Sequence, residues 1–167
     1  MYFCLIMSSI YYSEILEEIK NSLIASKKDV LLGLEQCCSL LRGKINHYDW
    51  VGFYFSEFET KTLRLKAFSG IPTEHTSIPF GKGICGQVAT SNKPFMVPNV
   101  KEQDNYIACS INVHSELVVP LFYEEINIGQ IDIDSDKLNS FSREDVLLLE
   151  ACCNLVSKTY GSSLLSL

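Results

Sequence analysis

The chain has 167 residues, 47% of them hydrophobic, and a formal net charge of −6. That is enough apolar material for one good core, and nothing in it calls for a second domain. The acidic balance, with a pI near 5.0 and no Lys/Arg stripe, argues against a phosphate backbone as partner, so no nucleic acid is expected.

No run approaches the roughly 20 apolar residues of a spanning helix, so no membrane is expected. The opening Met1-Tyr-Phe-Cys-Leu-Ile-Met7 lacks a basic segment and a cleavage site, and translation could equally start at Met1 or Met7. A cytoplasmic protein is expected. In that compartment seven cysteines are not a disulfide framework. Without a Cys-x-x-Cys or His-x3-His spacing, no metal is expected, because a zinc site would have to be gathered from scattered residues.

In chain order, residues 1–12 read as an N-terminal tail, 13–160 as one domain and 161–167 as a C-terminal tail. From Ser13 to Ala25 the spacing of Ile15, Leu16, Ile19 and Leu23 predicts an amphipathic helix, with Glu14, Glu17 and Glu18 in its first turn. Ser26 with Asp29 predicts the start of a second helix, whose apolar stripe is Val30, Leu31, Leu34, Cys37, Cys38 and Leu41. The period then changes. Trp50-Val-Gly-Phe-Tyr-Phe55 and Leu63-Arg-Leu-Lys-Ala-Phe68 read as strands, and Lys93-Pro-Phe-Met-Val-Pro98 as a proline-bounded edge strand. Glu116 to Tyr123 and Asn127 to Ile133 flank Glu124-Glu125 as a hairpin, and Ser142-x-x-Asp145 caps a last helix carrying Cys152 and Cys153. Helices at both ends with strands between them make an α+β domain.

Of the seven cysteines, four fall in helical patterns and Cys4 lies in the N-terminal tail, which leaves two in polar, glycine-marked loop sequence. Gly81-Lys-Gly83 opens a short helix that places Cys85 near its first turn, where orphan amides favour a thiolate. Cys109 lies in the stretch from Asn99 to Asn112, which has no clear period. Each has a blander reading, Cys85 as a small residue at a tight turn and Cys109 as a loop anchor. Asp132 and Asp134 alternate with Ile131 and Ile133, so both carboxylates share one strand face, either solvated or lining a cavity. His47, His75 and His114 have no defined partners in the sequence and read as surface or hydrogen-bonding residues, although His75 and His114 could assist proton transfer.

Five ordered blocks carry a resemblance. Trp50-Val-Gly-Phe-Tyr54, Ile78-Pro-Phe-Gly-Lys-Gly-Ile-Cys-Gly86, Ile107-Ala-Cys109, Ser115-Glu-Leu-Val-Val-Pro-Leu-Phe122 and Ile131-Asp-Ile-Asp-Ser135 resemble the free methionine-R-sulfoxide reductases, a family built on the GAF fold. The resemblance implies a central antiparallel sheet with the terminal helices on one face and a loop-covered ligand cavity on the other. It implies Cys109 as nucleophile and Cys85 as resolving thiol, with Trp50 and Tyr54 walling the substrate's methyl group. Glu116, Asp132 and Asp134 would bind the ammonium or orient the sulfoxide oxygen. It further implies a sulfenic acid, an intramolecular disulfide, no bound cofactor, and thioredoxin as reductant.

The chain departs from the family at three places. A third cysteine ten residues before Cys85 is replaced by Glu74 or His75, Asp49 stands where asparagine is usual, and Asp104-Asn-Tyr106 replaces a proline-glycine-histidine-like approach to Cys109. The rival expectation is a GAF sensor domain that binds a small ligand without turnover. Cys109 together with Glu116, Asp132 and Asp134 speaks against that reading. The amphipathic terminal helices would also suit pairing of two copies into a homodimer.

Overall fold

In a computed structural model, residues 2–105 and 112–167 are described, with side chains from residue 10 onward. Ten main elements follow in order: α1 Tyr2–Ala25, α2 Val30–Lys44, β1 Trp50–Glu57, β2 Thr62–Ser69, β3 Ser77–Pro79, α3 Gly83–Ser91, β4 Phe95–Val97, β5 Ser115–Tyr123, β6 Ile126–Ser135 and α4 Arg143–Tyr160. The six strands form one antiparallel sheet in the order β3-β2-β1-β6-β5-β4. Helices α1, α2 and α4 cover one face and α3 covers the other.

Strand alternation divides the two faces. Val51, Phe53, Leu117, Val119, Leu121, Ile131 and Ile133 point into the large core with Ile15, Ile19, Leu23, Leu34 and Leu149. Trp50, Tyr54, Leu63 and Val118 point to the opposite side, where Ile84 and Val88 of α3 meet them. Cys37, Cys38, Cys152 and Cys153 are all buried between the terminal helices and the sheet, with the Cys37 and Cys152 sulfurs 3.3 Å apart. They are packing residues, as the helical periodicity indicates.

Several boundaries differ from the expectation. Helix α1 begins at Tyr2, so Glu14, Glu17 and Glu18 fall in its middle, away from the first-turn dipole. The start of α2 is capped by Asp29 alone, whose carboxylate accepts from Leu32 N. Leu31, expected in the apolar stripe, is exposed, because the stripe that meets the sheet runs through Leu34, Cys37, Cys38 and Leu41. At the other end, where a tail was expected, Gly161–Ser166 form a 3-10 turn that tucks Leu164 into the core. The 124–125 hairpin forms with both glutamates at positive φ, as a two-residue turn with matching twist requires.

The capping box of α4 reaches well beyond its own helix. Asp145 Oδ2 accepts from Ser142 N and Oγ, while Oδ1 accepts from Tyr12 and from buried Tyr48 at 3.0 Å each and lies 3.0 Å from His47 Nε2. Burial alone would raise this carboxyl, but the hydrogen bonds from His47 and Ser142 outweigh it and hold it at about 2. One side chain thereby ties α1, the segment before β1 and α4 together. Replacing Asp145 by alanine removes the reciprocal half of the capping box and leaves the Tyr48 hydroxyl unpaired, so a loss of about 2–4 kcal/mol in urea unfolding is expected. The stabilisation from this depressed carboxyl should fade in the wild type as pH falls from about 4 towards 2, and be absent from the variant.

Candidate functional site

The pairing register assembles the site at the centre of the sheet. Trp50 of β1 stands opposite Asp134 of β6, which stands opposite Glu116 of β5, which in turn faces Val97 of β4. In the next row on the same face, Gly52, Asp132 and Val118 are aligned. A one-residue slip of β6 would drive both aspartates into the apolar helix-covered core, so Ile131 and Ile133, which alternate with them, fix this register. Gly52 leaves room beside Asp132, and the indole of Trp50 fills it: a Cβ at Gly52 would meet that ring at 2.2 Å.

Of the two readings of the acidic strand, the solvated one is overturned, because both aspartates are buried. Asp132 is fully buried and Glu116 and Asp134 are 2% and 3% exposed. Asp132 Oδ1 and Asp134 Oδ1 are buried without a hydrogen-bond partner among the described residues. Burial first, and then the negative charges of Asp132 and Asp134, push the Glu116 carboxyl well above the usual carboxylate range. Burial pushes Asp134 up as well, with Asp132 and Asp49 adding to it. Asp132 is pushed up to about 7 by burial, against a lowering by its hydrogen bonds from Cys85 and from the backbone of Ile133.

Cys85 is the third residue of α3, buried, and its Sγ donates to Asp132 Oδ2 at 3.2 Å. The glycine turn before it is tightly closed: Gly81 N donates to Gly86 O at 2.7 Å, and a Cβ at Gly86 would meet Pro79 O at 2.5 Å. This close approach seats the first turn of α3 over β6. The placement near a helix start is the one the glycine pattern implies. Its contact with a buried carboxylate depends on how α3 docks, which local sequence does not encode.

Beside the carboxylates lies a cleft of about 80 Å³, lined by Asp49, Trp50, Ile71, Thr73, Val113 and Asp134 among others. Trp50 Nε1 donates to Ile71 O at 3.1 Å, and Tyr54 hydroxyl donates to His75 O at 2.9 Å. The two aromatics therefore hold the segment between β2 and β3 against the sheet. Phe68 stacks on Trp50 with ring centroids 5.9 Å apart. Where the family's asparagine is replaced, Asp49 Oδ2 accepts from Asp136 N and Ser135 Oγ, a role that an amide oxygen also fills.

The structure thus brings together Trp50, Tyr54, Cys85, Glu116, Asp132 and Asp134. Cys109 lies outside the described residues. Gln130 joins the site although the sequence reading passed over it: it is fully buried, and neither side-chain polar atom has a partner among the described residues. The same period of two that aligns Asp132 with Asp134 puts Gln130 on their face, and that was the available signal. His47 belongs to the Asp145 network on the far side of the sheet, and His114 Nδ1 is buried without a partner among the described residues.

A six-stranded antiparallel sheet with three helices on one face and a short helix on the other is the architecture of a GAF domain, and the family model described as "GAF domain" matches residues 33–159. The chain is 37% identical over 134 residues to GAF domain-containing protein A of Dictyostelium discoideum, covering 80% of this chain and 82% of that one. It is 34% identical over 125 residues to the free methionine-R-sulfoxide reductase of Escherichia coli, covering 75% and 74%. The free methionine-R-sulfoxide reductase of Neisseria meningitidis, solved with its substrate, superposes with a TM-score of 0.84 at 33% identity, covering 93% and 92%. This chain belongs to the GAF-domain free methionine-R-sulfoxide reductase family.

The raised carboxyls make a testable statement about stability. Asp132 holds its proton up to about 7 when folded, against an ordinary value near 3.9 when unfolded. Its contribution therefore favours folding below the unfolded value and is lost as pH rises through the folded one. The melting temperature should be higher at about pH 5.5 than at about pH 8.5, by about 2–4 °C per kcal/mol for a chain of this size. Asp132→Asn should reduce that difference by the share Asp132 contributes, leaving the part due to Glu116 and Asp134, as measured by calorimetry.

Proposed function

We propose that this chain reduces free L-methionine-R-sulfoxide to methionine, with thiols supplying the electrons. The observation that carries the reading is the Cys85 thiol set against Asp132, with Glu116 and Asp134 buried around it and the cleft beside them walled by Trp50. A zwitterionic amino acid brings an ammonium that ionised carboxylates can pair in a buried setting. Its sulfoxide oxygen needs a proton as a thiolate attacks the sulfur, and a carboxyl that keeps its proton near neutral pH can donate it. All three carboxyls are raised, so one that keeps its proton can serve the sulfoxide oxygen while one that ionises pairs the ammonium.

The family resemblance gives the attack to Cys109. Its thiolate bonds to the sulfoxide sulfur, and the oxygen leaves with that thiol as a sulfenic acid, releasing methionine. Cys85 then condenses with the sulfenic acid, losing water and forming a disulfide. A dithiol such as thioredoxin resets the pair by exchange, itself becoming the disulfide. With Glu74 and His75 in place of the family's third cysteine, this chain runs the cycle on two thiols. Trp50 and Tyr54 support the reading by walling the apolar end of the ligand and by holding the segment from residue 70 to 76 in place.

The test supplies thioredoxin, its reductase and NADPH. NADPH consumption is expected on free L-methionine-R-sulfoxide, not on the S isomer, and is expected to vanish in Cys109→Ser. Cys85→Ser should release about one methionine per chain and stop, because the sulfenic acid then has no partner. Binding of the sulfoxide by the intact reduced protein without any turnover would instead support a ligand-binding sensor domain.

A further inference from the structure

We propose that Cys85, Glu116 and Asp132 form a binding site for a single zinc ion, gathered from α3, β5 and β6. The Cys85 sulfur and one carboxylate oxygen from each of Glu116 and Asp132 all lie within 4.8 Å of one another. The sulfur and Asp132 Oδ2 are 3.2 Å apart. Two ligands on a tetrahedral zinc, with Zn–S about 2.3 Å and Zn–O about 2.0–2.2 Å, are separated by roughly 3.5 Å, so the trio needs only small shifts to close on an ion.

A second observation points independently to a cationic ligand. Asp132 Oδ1 is buried and without a hydrogen-bond partner among the described residues, and Asp134 Oδ1 in the neighbouring row is the same. Buried carboxylate oxygens left in this state are normally paired or coordinate a metal. The donor set also selects the metal. Magnesium and calcium prefer all-oxygen sites, whereas one thiolate with two carboxylates suits zinc, and three protein ligands leave a fourth position for water. Coordination replaces the Cys85 S–H bond with a sulfur–zinc bond and releases the proton to solvent, with no change in oxidation state. The sequence gives no local sign of the site because its ligands are 31 and 16 positions apart along the chain.

Binding needs no turnover, so its test stands apart from the reductase reading. Where that reading also holds, zinc should block catalysis by occupying the carboxylates and capping the resolving thiol. Reduced protein is titrated with zinc against a chromophoric chelator in the absence of oxygen. One zinc per chain is expected, and Cys85→Ser and Asp132→Asn should each weaken binding by about tenfold or more, while Cys37→Ser leaves it unchanged. Both site variants are near-isosteric, and zinc should raise the melting temperature of the wild type but not of these two. Failure to saturate, or equal affinity in wild type, Cys85→Ser and Asp132→Asn, would overturn the proposal.

Discussion

Three carboxylates buried side by side, with no basic side chain reaching them through an ion pair among the described residues, set the terms for this molecule. Burial in a medium of low dielectric disfavours their ionised forms, and the charges of neighbouring aspartates add to this at Glu116 and Asp134, so they hold protons at a pH where ordinary aspartates and glutamates do not. Such an arrangement is costly unless a positively charged group arrives to complete it. The rest of the fold accommodates that cost. The apolar layer of α1, α2 and α4 on the other side of the sheet supplies the stability, and the alternation of isoleucine with aspartate in β6 keeps the two environments apart.

The same cluster explains why its neighbours are placed as they are. Gly52 is small where the indole must lie across the sheet, and Gly86 permits the close approach that brings Cys85 over Asp132. Trp50 and Tyr54 spend their polar atoms on backbone carbonyls of the segment after β2, so their rings face the site without unpaired donors. Proposed substrate and proposed metal make the same demand on this site: each brings positive charge to carboxylates that lack it.

Much of this was legible in the residues. The hairpin at Glu124-Glu125, the capping box at Ser142 and Asp145, the edge strand at Phe95–Val97 and the helix start at Cys85 all follow from local patterns, and all are present. Period two placed Asp132 and Asp134 on one face, but not which face is buried, because that depends on α3 and on the register of β1 against β6. The reach of Asp145 to Tyr12 and Tyr48 was equally hidden, since those partners lie 133 and 97 positions away. Leu31 was misplaced for a local reason: a stripe read from spacing alone is wider than the strip of helix that meets the sheet. The family resemblance supplied what periodicity could not, namely that Cys85, Glu116, Asp132 and Asp134 belong to one site.

The account rests on the carboxylates recognising the ammonium of a free amino acid, and one comparison tests it directly. Calorimetric binding of L-methionine-R-sulfoxide and of its N-acetyl derivative to Cys109→Ser protein separates the ammonium from everything else in the ligand. Removing one partner of a buried charge pair costs about 2–5 kcal/mol, so the acetylated ligand should bind about 30-fold more weakly or worse. Equal affinity for the two ligands would contradict the account.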